Sequence, residues 1–238
     1  MFQQIPFTFE PRESYTFDSF VRGSNELLLD LIAQCAADAG EKQVYIWGDE
    51  NQGKSHLLQA TCNLASKNNR TVCYLPAHEL VNQDPQIFEG LESLNLICVD
   101  DVNCLAGNDE WEKALFNLIN RCRENSTSLL FSSTVAPEQL KIQLPDLQSR
   151  LLWGPVLRLQ VLSDEEKFEA LRHRALQKGL ELPENVADYL MRHYPRDLFG
   201  LFERLDQLDT ASMASQRRLT IPFVKAVLGQ VEMVYKND

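Results

Sequence analysis

The chain has 238 residues, with 23 Lys and Arg against 34 Asp and Glu, a formal net charge of -11, and 44% hydrophobic residues. That composition excludes a disordered or fibrous protein, and a chain of this length can bury a core without disulfides or a structural metal. The acidic balance argues against a protein that wraps nucleic acid through phosphate contacts, and no apolar run approaches the roughly 20 residues of a bilayer span.

In chain order, Met1-Phe2-Gln3-Gln4 lacks the basic start and apolar core of a signal peptide, which predicts a cytoplasmic protein with no membrane partner. Helical periodicity follows near 25–39, and Val44-Tyr45-Ile46-Trp47 reads as a short strand. Further strands are expected at 71–75, 96–99, 128–131 and 156–159, with helices near 54–67, 85–93, 109–124 and 136–152 between them. Short apolar strands alternating with helices predict an α/β fold, a parallel sheet covered on both faces. After Leu162 the pattern is helical only. Ser163 and Glu166 read as a capping box opening a helix to about Lys178, with Gly179 as its stop. Pro183 opens the next helix, a long one is expected near 197–215, and Ile221-Pro222 opens a last one ending near Tyr235. The expected division is a segment 1–20, an αβα domain 21–162 and a small helical domain 163–238. The six cysteines form no C-x-x-C pair and the four histidines have no metal-ligand spacing, so reduced, mostly buried thiols are expected.

Gly48-Asp49-Glu50-Asn51-Gln52-Gly53-Lys54-Ser55 fits G-x-x-x-x-G-K-[ST], between a strand and a helix that begins with His56-Leu57-Leu58. Glycines let the backbone close around phosphates, with N–H groups aimed inward at a helix N-terminus. Lys54 would reach the β- and γ-phosphates and the Ser55 hydroxyl would ligate magnesium. The loop residues Gly48 to Ser55, with His56 beside them, are the candidate nucleotide contacts. Leu96-Ile97-Cys98-Val99-Asp100-Asp101 puts two carboxylates at the end of an apolar strand. Asp100 is the candidate for the magnesium shell, and Asp101 for orienting or deprotonating an attacking water. There is no G-x-G-x-x-G, so a Rossmann dinucleotide site has no support.

Gly53-Lys54-Ser55-His56-Leu57-Leu58-Gln59-Ala60 resembles the DnaA branch of the AAA+ ATPases. Phe17-Asp18-Ser19-Phe20 is similar to that branch's lead-in segment, and Leu144-Pro145-Asp146-Leu147-Gln148-Ser149-Arg150-Leu151 to its arginine-finger box. Leu105-Ala106-Gly107 with Glu110-Trp111-Glu112, then Leu205-Asp206-Gln207-Leu208-Asp209, then Leu219-Thr220-Ile221-Pro222-Phe223-Val224-Lys225, resemble the DnaA-homologous regulators that inactivate DnaA. The resemblance implies an αβα sandwich with a five-stranded parallel sheet in the order 5-1-4-3-2 and an all-helical lid. It implies ADP or ATP with Mg2+ as cofactors, Arg150 as an arginine finger, Arg196 as the lid's sensor-2 arginine and Thr134 at the sensor-1 position. It also implies the partners: DnaA, and the DNA polymerase III sliding clamp (the beta subunit). DnaA continues into a basic helix-turn-helix domain where this sequence ends, so DNA contact is expected only through the clamp. A homo-oligomer is open, because an arginine finger needs a neighbour.

Family members carry an N-terminal clamp-binding peptide of the Q-L-x-L-P-L type, and Ile5-Pro6-Phe7 resembles its second half, with the glutamine out of register. A Pro-containing apolar tripeptide is pre-organised for a groove. Asp101 stands where most AAA+ ATPases have Glu, and Asn51 where the branch usually has Gly. Asn tolerates left-handed backbone angles, so the expectation is firm nucleotide binding with slow hydrolysis. The main reading is a regulator that lends Arg150 to DnaA-bound ATP. The rivals are a self-sufficient AAA+ ATPase, such as a helicase or clamp loader, and a small-molecule kinase of the P-loop class.

Overall fold

Five short strands carry apolar side chains on both faces, which suits a parallel sheet with helices above and below. In the computed structural model, which describes residues 11–195 and 197–234, these are β1 (Gln43–Trp47), β2 (Val72–Pro76), β3 (Leu96–Asp100), β4 (Ser128–Ser133) and β5 (Val156–Arg158). They pair in parallel in the order β2-β3-β4-β1-β5. This is the order that the resemblance implies. Alternation along each strand divides the core. Val44, Ile46, Leu96, Cys98 and Leu130 face α1 (Glu26–Ala36) and α2 (Lys54–Lys67). Tyr45, Ile97, Val99, Leu129 and Phe131 face α4 (Asp109–Glu124) and α5 (Pro145–Leu151), and a short α3 (Ala77–Leu80) follows β2.

Two helices expected from the sequence are shorter or differently wound. The 85–93 stretch is two 3-10 turns, Pro85–Phe88 and Leu91–Ser93, separated by Gly90 at φ +80°. Asp84 caps the first through Gln86 N–H at 2.9 Å, and the left-handed Gly90 prevents a continuous α-helix. In the 136–152 stretch only Pro137–Gln139 and α5 are helical, because prolines open both pieces and Leu140 and Leu144 are extended.

The chain divides into two compact units, with the boundary after Gln160. The second contains α6 (Asp164–Gln177), α7 (Glu184–His193), α8 (Leu198–Ser215) and α9 (Ile221–Val234) around Leu171, Val186, Leu190, Leu201, Leu205, Leu208, Val224 and Leu228. The capping box at its start is present: Ser163 Oγ accepts from Glu166 N–H at 3.1 Å and Glu166 Oε2 accepts from Ser163 N–H at 2.7 Å. The cysteines are free thiols, four of them buried, and burial pushes Cys73 and Cys122 up to about 12. Among the described residues, no helix is long and apolar enough to cross a membrane.

One close approach fixes how α5 joins the sheet. A Cβ on Gly154 would lie 1.9 Å from Gln43 O, so only glycine lets the turn after α5 pass the start of β1. Gly154→Ala should therefore lower stability by about 1–3 kcal/mol or more, as overpacking against backbone does. The midpoint of urea unfolding measures it, and an unchanged midpoint would contradict this account of the turn.

Candidate nucleotide-binding site and the arginine helix

The phosphate-type loop leaves β1 at Trp47 and enters α2 at Lys54. Its two left-handed residues are Asn51 (φ 59°) and Gly53 (φ 97°). Asn accepts that conformation, as the sequence suggested. A Cβ at Gly53 would also lie 2.7 Å from Phe20 Cε2, so any side chain there would have to displace that ring. Lys54 curls back into the loop, and its Nζ donates to Gly48 O at 2.9 Å and Asp49 O at 2.8 Å. Its side chain is buried, which pulls the ammonium below its ordinary value, while Asp101, Asp100, Asp49 and Glu50 hold it up. Gln52 Nε2 closes the outer turn on Asp49 Oδ2 at 2.9 Å.

Opposite the loop, β3 ends in Asp100, which is buried. Tyr74 on β2 donates its hydroxyl to Asp100 Oδ2 at 2.6 Å, and Ser132 on β4 donates to Oδ1. The same Ser132 oxygen accepts from Asp101 N–H at 2.8 Å. Asp100 is thus oriented from both neighbouring strands. Burial and Asp100 push Asp101 above the usual carboxylate range, and Lys54 pulls it down. Asp101 is left-handed (φ 54°) at the turn into the 3-10 segment Val102–Leu105. From that segment Asn103 Oδ1 accepts from Ser133 Oγ and from Thr134 N–H, each at 3.1 Å. Thr134 therefore sits at the tip of β4 beside the β3 carboxylates, with its backbone fixed by Asn103.

This donor set fits a magnesium-bound nucleoside phosphate. Lys54 has three N–H donors, of which the loop carbonyls take two. Asp100 keeps acceptor capacity beyond its two hydrogen bonds, and Ser55 lies in the first turn of α2. Among the described residues no cluster of three or more His, Cys, Asp or Glu makes a metal site by itself. A magnesium ion held by Ser55 and Asp100 would take its remaining oxygens from phosphate and water.

His56 engages the lead-in segment. Its ring stacks on Tyr15 at 4.5 Å and meets Phe20 edge-on at 5.5 Å, and Nε2 lies 2.9 Å from Thr16 O. Gln59 and Asn63, further along α2, hold Arg12 and Tyr15 by backbone hydrogen bonds of 2.8–3.0 Å. The aromatic residues of 15–20 are therefore a lid strap over the start of α2.

Arg150 belongs to a different end of the domain. Gln43, the first residue of β1, donates its side-chain amide to Arg150 O at 2.7 Å and to Leu151 O at 3.3 Å. The loop follows the last residue of β1, so five residues of strand, about 13 Å at ~3.3 Å per step, separate the two. The Arg150 side chain points further along this end, where Nε donates to Asn120 Oδ1 at 3.0 Å in the last turns of α4. Its guanidinium lies 3.9 Å from the Trp153 ring centroid and 5.4 Å from that of Phe116. It is partly exposed. Arg196 and Ile5-Pro6-Phe7 lie outside the described residues.

Sequence reasoning missed Tyr74, Ser132, Asn103 and Glu112. Glu112 is buried, yet Oε1 accepts from Gly107 N–H (2.7 Å) and Oε2 from Gln143 and Leu144 N–H (2.9 and 2.8 Å). It fastens the extended lead into α5. A signal was present: Trp111, Leu115 and Ile119 form a helical stripe, and Glu112 falls next to it, where an acid needs donors. Glu112→Ala should cost about 1.5–3 kcal/mol, because three half-buried or exposed N–H groups lose a charged acceptor that fastens the segment leading into α5. Thermal unfolding of the variant checks this, and a melting temperature equal to wild type would refute it.

A parallel sheet in this order, with a G-K-S loop after β1 and paired carboxylates at the tip of β3, defines a P-loop protein of the AAA+ class. The chain belongs to the family of the bacterial DnaA ATPase domain, whose model matches residues 12–158. A second model, described as the Hda lid domain, matches residues 164–228, which makes the chain an Hda-like AAA+ protein of the DnaA branch. Among solved structures it is similar to domain III of the Thermotoga maritima replication initiation protein DnaA, with TM-score 0.78, 22% identity, and coverage of 91% of this chain and 96% of that one. It is also similar to AMPPCP-bound DnaA from Aquifex aeolicus (TM-score 0.71, 23% identity, 82% of this chain and 66% of that one). The Thermotoga maritima RuvB branch migration motor shares the fold at TM-score 0.69 and 17% identity, over 91% of this chain and 72% of that one.

Proposed function

We propose that this DnaA-related protein binds ADP or ATP with Mg2+ in the loop of Gly48 to Ser55 and regulates replication initiation by supplying Arg150 to ATP held by a neighbouring DnaA molecule. The observation that carries this reading is the placement of Arg150. Its helix is fastened to the N-terminal end of β1, whereas the loop leaves the C-terminal end. A guanidinium so placed serves a neighbour's phosphates better than those of its own chain. Lys54, Ser55, Asp100 and Asp101 would bind the chain's own nucleotide and its magnesium, which supplies charge neutralisation to the phosphates. The AMPPCP-bound DnaA relatives support nucleotide binding here.

The same reading assigns Ile5-Pro6-Phe7 to the sliding clamp, so that the chain would meet DNA through the clamp, and gives Arg196 the closing of the lid over nucleotide. Residues 1–20, 21–162 and 163–238 would then be the docking peptide, the nucleotide domain and the lid. The reading is tested by measuring ATP turnover with the purified chain alone, and then with DnaA and DNA-loaded clamp. Low turnover alone and a large rise of hydrolysis on DnaA support it. Fast turnover by the chain alone would instead favour a self-sufficient ATPase, which Asp101 beside Lys54 permits.

A further inference from the structure

The surface beside Arg150 carries a second arginine that no part of the P-loop chemistry uses. Arg123, exposed in the last turn of α4, places its guanidinium 4.0 Å from the centroid of the Trp153 indole, and Arg150 lies 3.9 Å from the same centroid. Trp153 itself is 38% exposed. The ion pairs among the described residues include neither arginine, and the partner of Arg150 is the neutral Asn120 amide. In a chain of net charge -11, two arginines gathered on one ring without a carboxylate is an unusual local charge.

The physical consequence follows from guanidinium geometry. Each cation is attracted to the π-face of the indole. Arg150 spends its Nε–H on Asn120, and the terminal N–H groups of a guanidinium placed over a ring can take two oxygens of a phosphate at once. The two positive charges repel each other, and an anion placed against both relieves the repulsion. Trp153 is rigid and large, so it fixes both forks at little entropic cost.

We propose that Arg123 and Arg150 together form a two-guanidinium site for the triphosphate of a nucleotide bound in a neighbouring subunit, with Trp153 as the positioning residue for both. This rests on the reading of Arg150 as a donor in trans, and it adds a second phosphate contact and the element that aims the first. No bond is made or broken by either arginine; both stabilise negative charge on the phosphate oxygens.

The test uses the full-length chain, DNA-loaded clamp and ATP-loaded DnaA, and follows DnaA-bound ATP as the concentration of the chain is varied. Arg123→Ala should lower the maximal stimulated rate by roughly 10–100-fold, the worth of one charge-assisted contact, with an unchanged melting temperature. Arg123→Lys should recover part of the loss. Trp153→Leu should lower the maximal rate in the same way, whereas Trp153→Phe, which keeps a π-face, should retain most of it. Two results overturn the proposal: Arg123→Ala stimulating like wild type, or a higher half-saturating concentration at full maximal rate, which would make the patch a docking surface only. Arg150→Ala separates the two levels of the argument. If that variant stimulates fully, the reading in trans fails; if it is inactive while Arg123→Ala is not, only the present inference fails.

Discussion

Arg150→Ala should abolish the stimulation of DnaA-bound ATP hydrolysis and leave the chain's own nucleotide affinity at the wild-type value. An arginine supplied in trans to a phosphoryl-transfer site is worth about 10³–10⁵ in rate, or roughly 4–7 kcal/mol off the barrier. The fold should tolerate the change. Arg150 is partly exposed, and among the described residues its side chain hydrogen-bonds to Asn120 beside its contacts with Trp153 and Phe116. The hydrogen bonds that hold α5 on β1 come from Gln43 to the backbone carbonyls of residues 150 and 151, and alanine keeps them. Nucleotide affinity is spared because the loop lies at the other end of the strand. Calorimetric titration of ADP into the variant, beside the hydrolysis assay, reads both halves of the expectation. A parallel loss of nucleotide binding would show that Arg150 serves the chain's own site.

Lys54→Ala should do the reverse and weaken the chain's own nucleotide binding. A lysine–phosphate contact of about 1.5–3 kcal/mol predicts a roughly 10–200-fold rise in Kd. Among the described residues Lys54 Nζ hydrogen-bonds to Gly48 O and Asp49 O, two carbonyls of the loop itself, so truncation removes a cation already aimed into the cradle. The carboxylates of Asp100 and Asp101 would then face the phosphates with no lysine between them, which adds repulsion in the same direction. Isothermal titration with ADP and Mg2+ measures the shift. An unchanged Kd would mean that the loop is not the nucleotide site.

Local and periodic signals explain what was legible in the amino-acid sequence. The strand–loop–helix unit from Val44 to Lys67 carries its own turn residues and its own apolar alternation, and the structure places β1 and α2 where those patterns end. The long helix Asp109–Glu124 was equally plain, because Asn108 caps it and Trp111, Leu115, Leu118 and Ile119 mark one face. The segments misread as helix, 85–93 and 136–152, have apolar residues at helical spacing but are punctuated by Gly90, Pro137 and Pro145. There the backbone conformation of single residues outweighs periodicity.

Candidate site residues could be nominated from sequence only where one residue type in a motif or a resemblance suggests one role. Lys54 and Asp100 stand in short motifs that nominate them as candidates, and Arg150 was nominated by the family resemblance. Their orientation could not be read this way, because it depends on groups far away in the chain: Tyr74 and Ser132 for Asp100, Asn103 for Thr134, Gln43 for Arg150. Glu112 holds the approach to α5 from 31 and 32 residues away. Such contacts arise from strand order, and strand order came from family resemblance.

The central claim, that Arg150 acts on a neighbour's nucleotide, is tested most directly by single-turnover hydrolysis of labelled ATP preloaded on DnaA, mixed with an excess of this chain on DNA-loaded clamp. The account predicts that wild type accelerates the loss of label by about 10³–10⁵-fold and that Arg150→Ala leaves it at the rate of DnaA alone. Equal acceleration by the two proteins, or none by wild type, would contradict it.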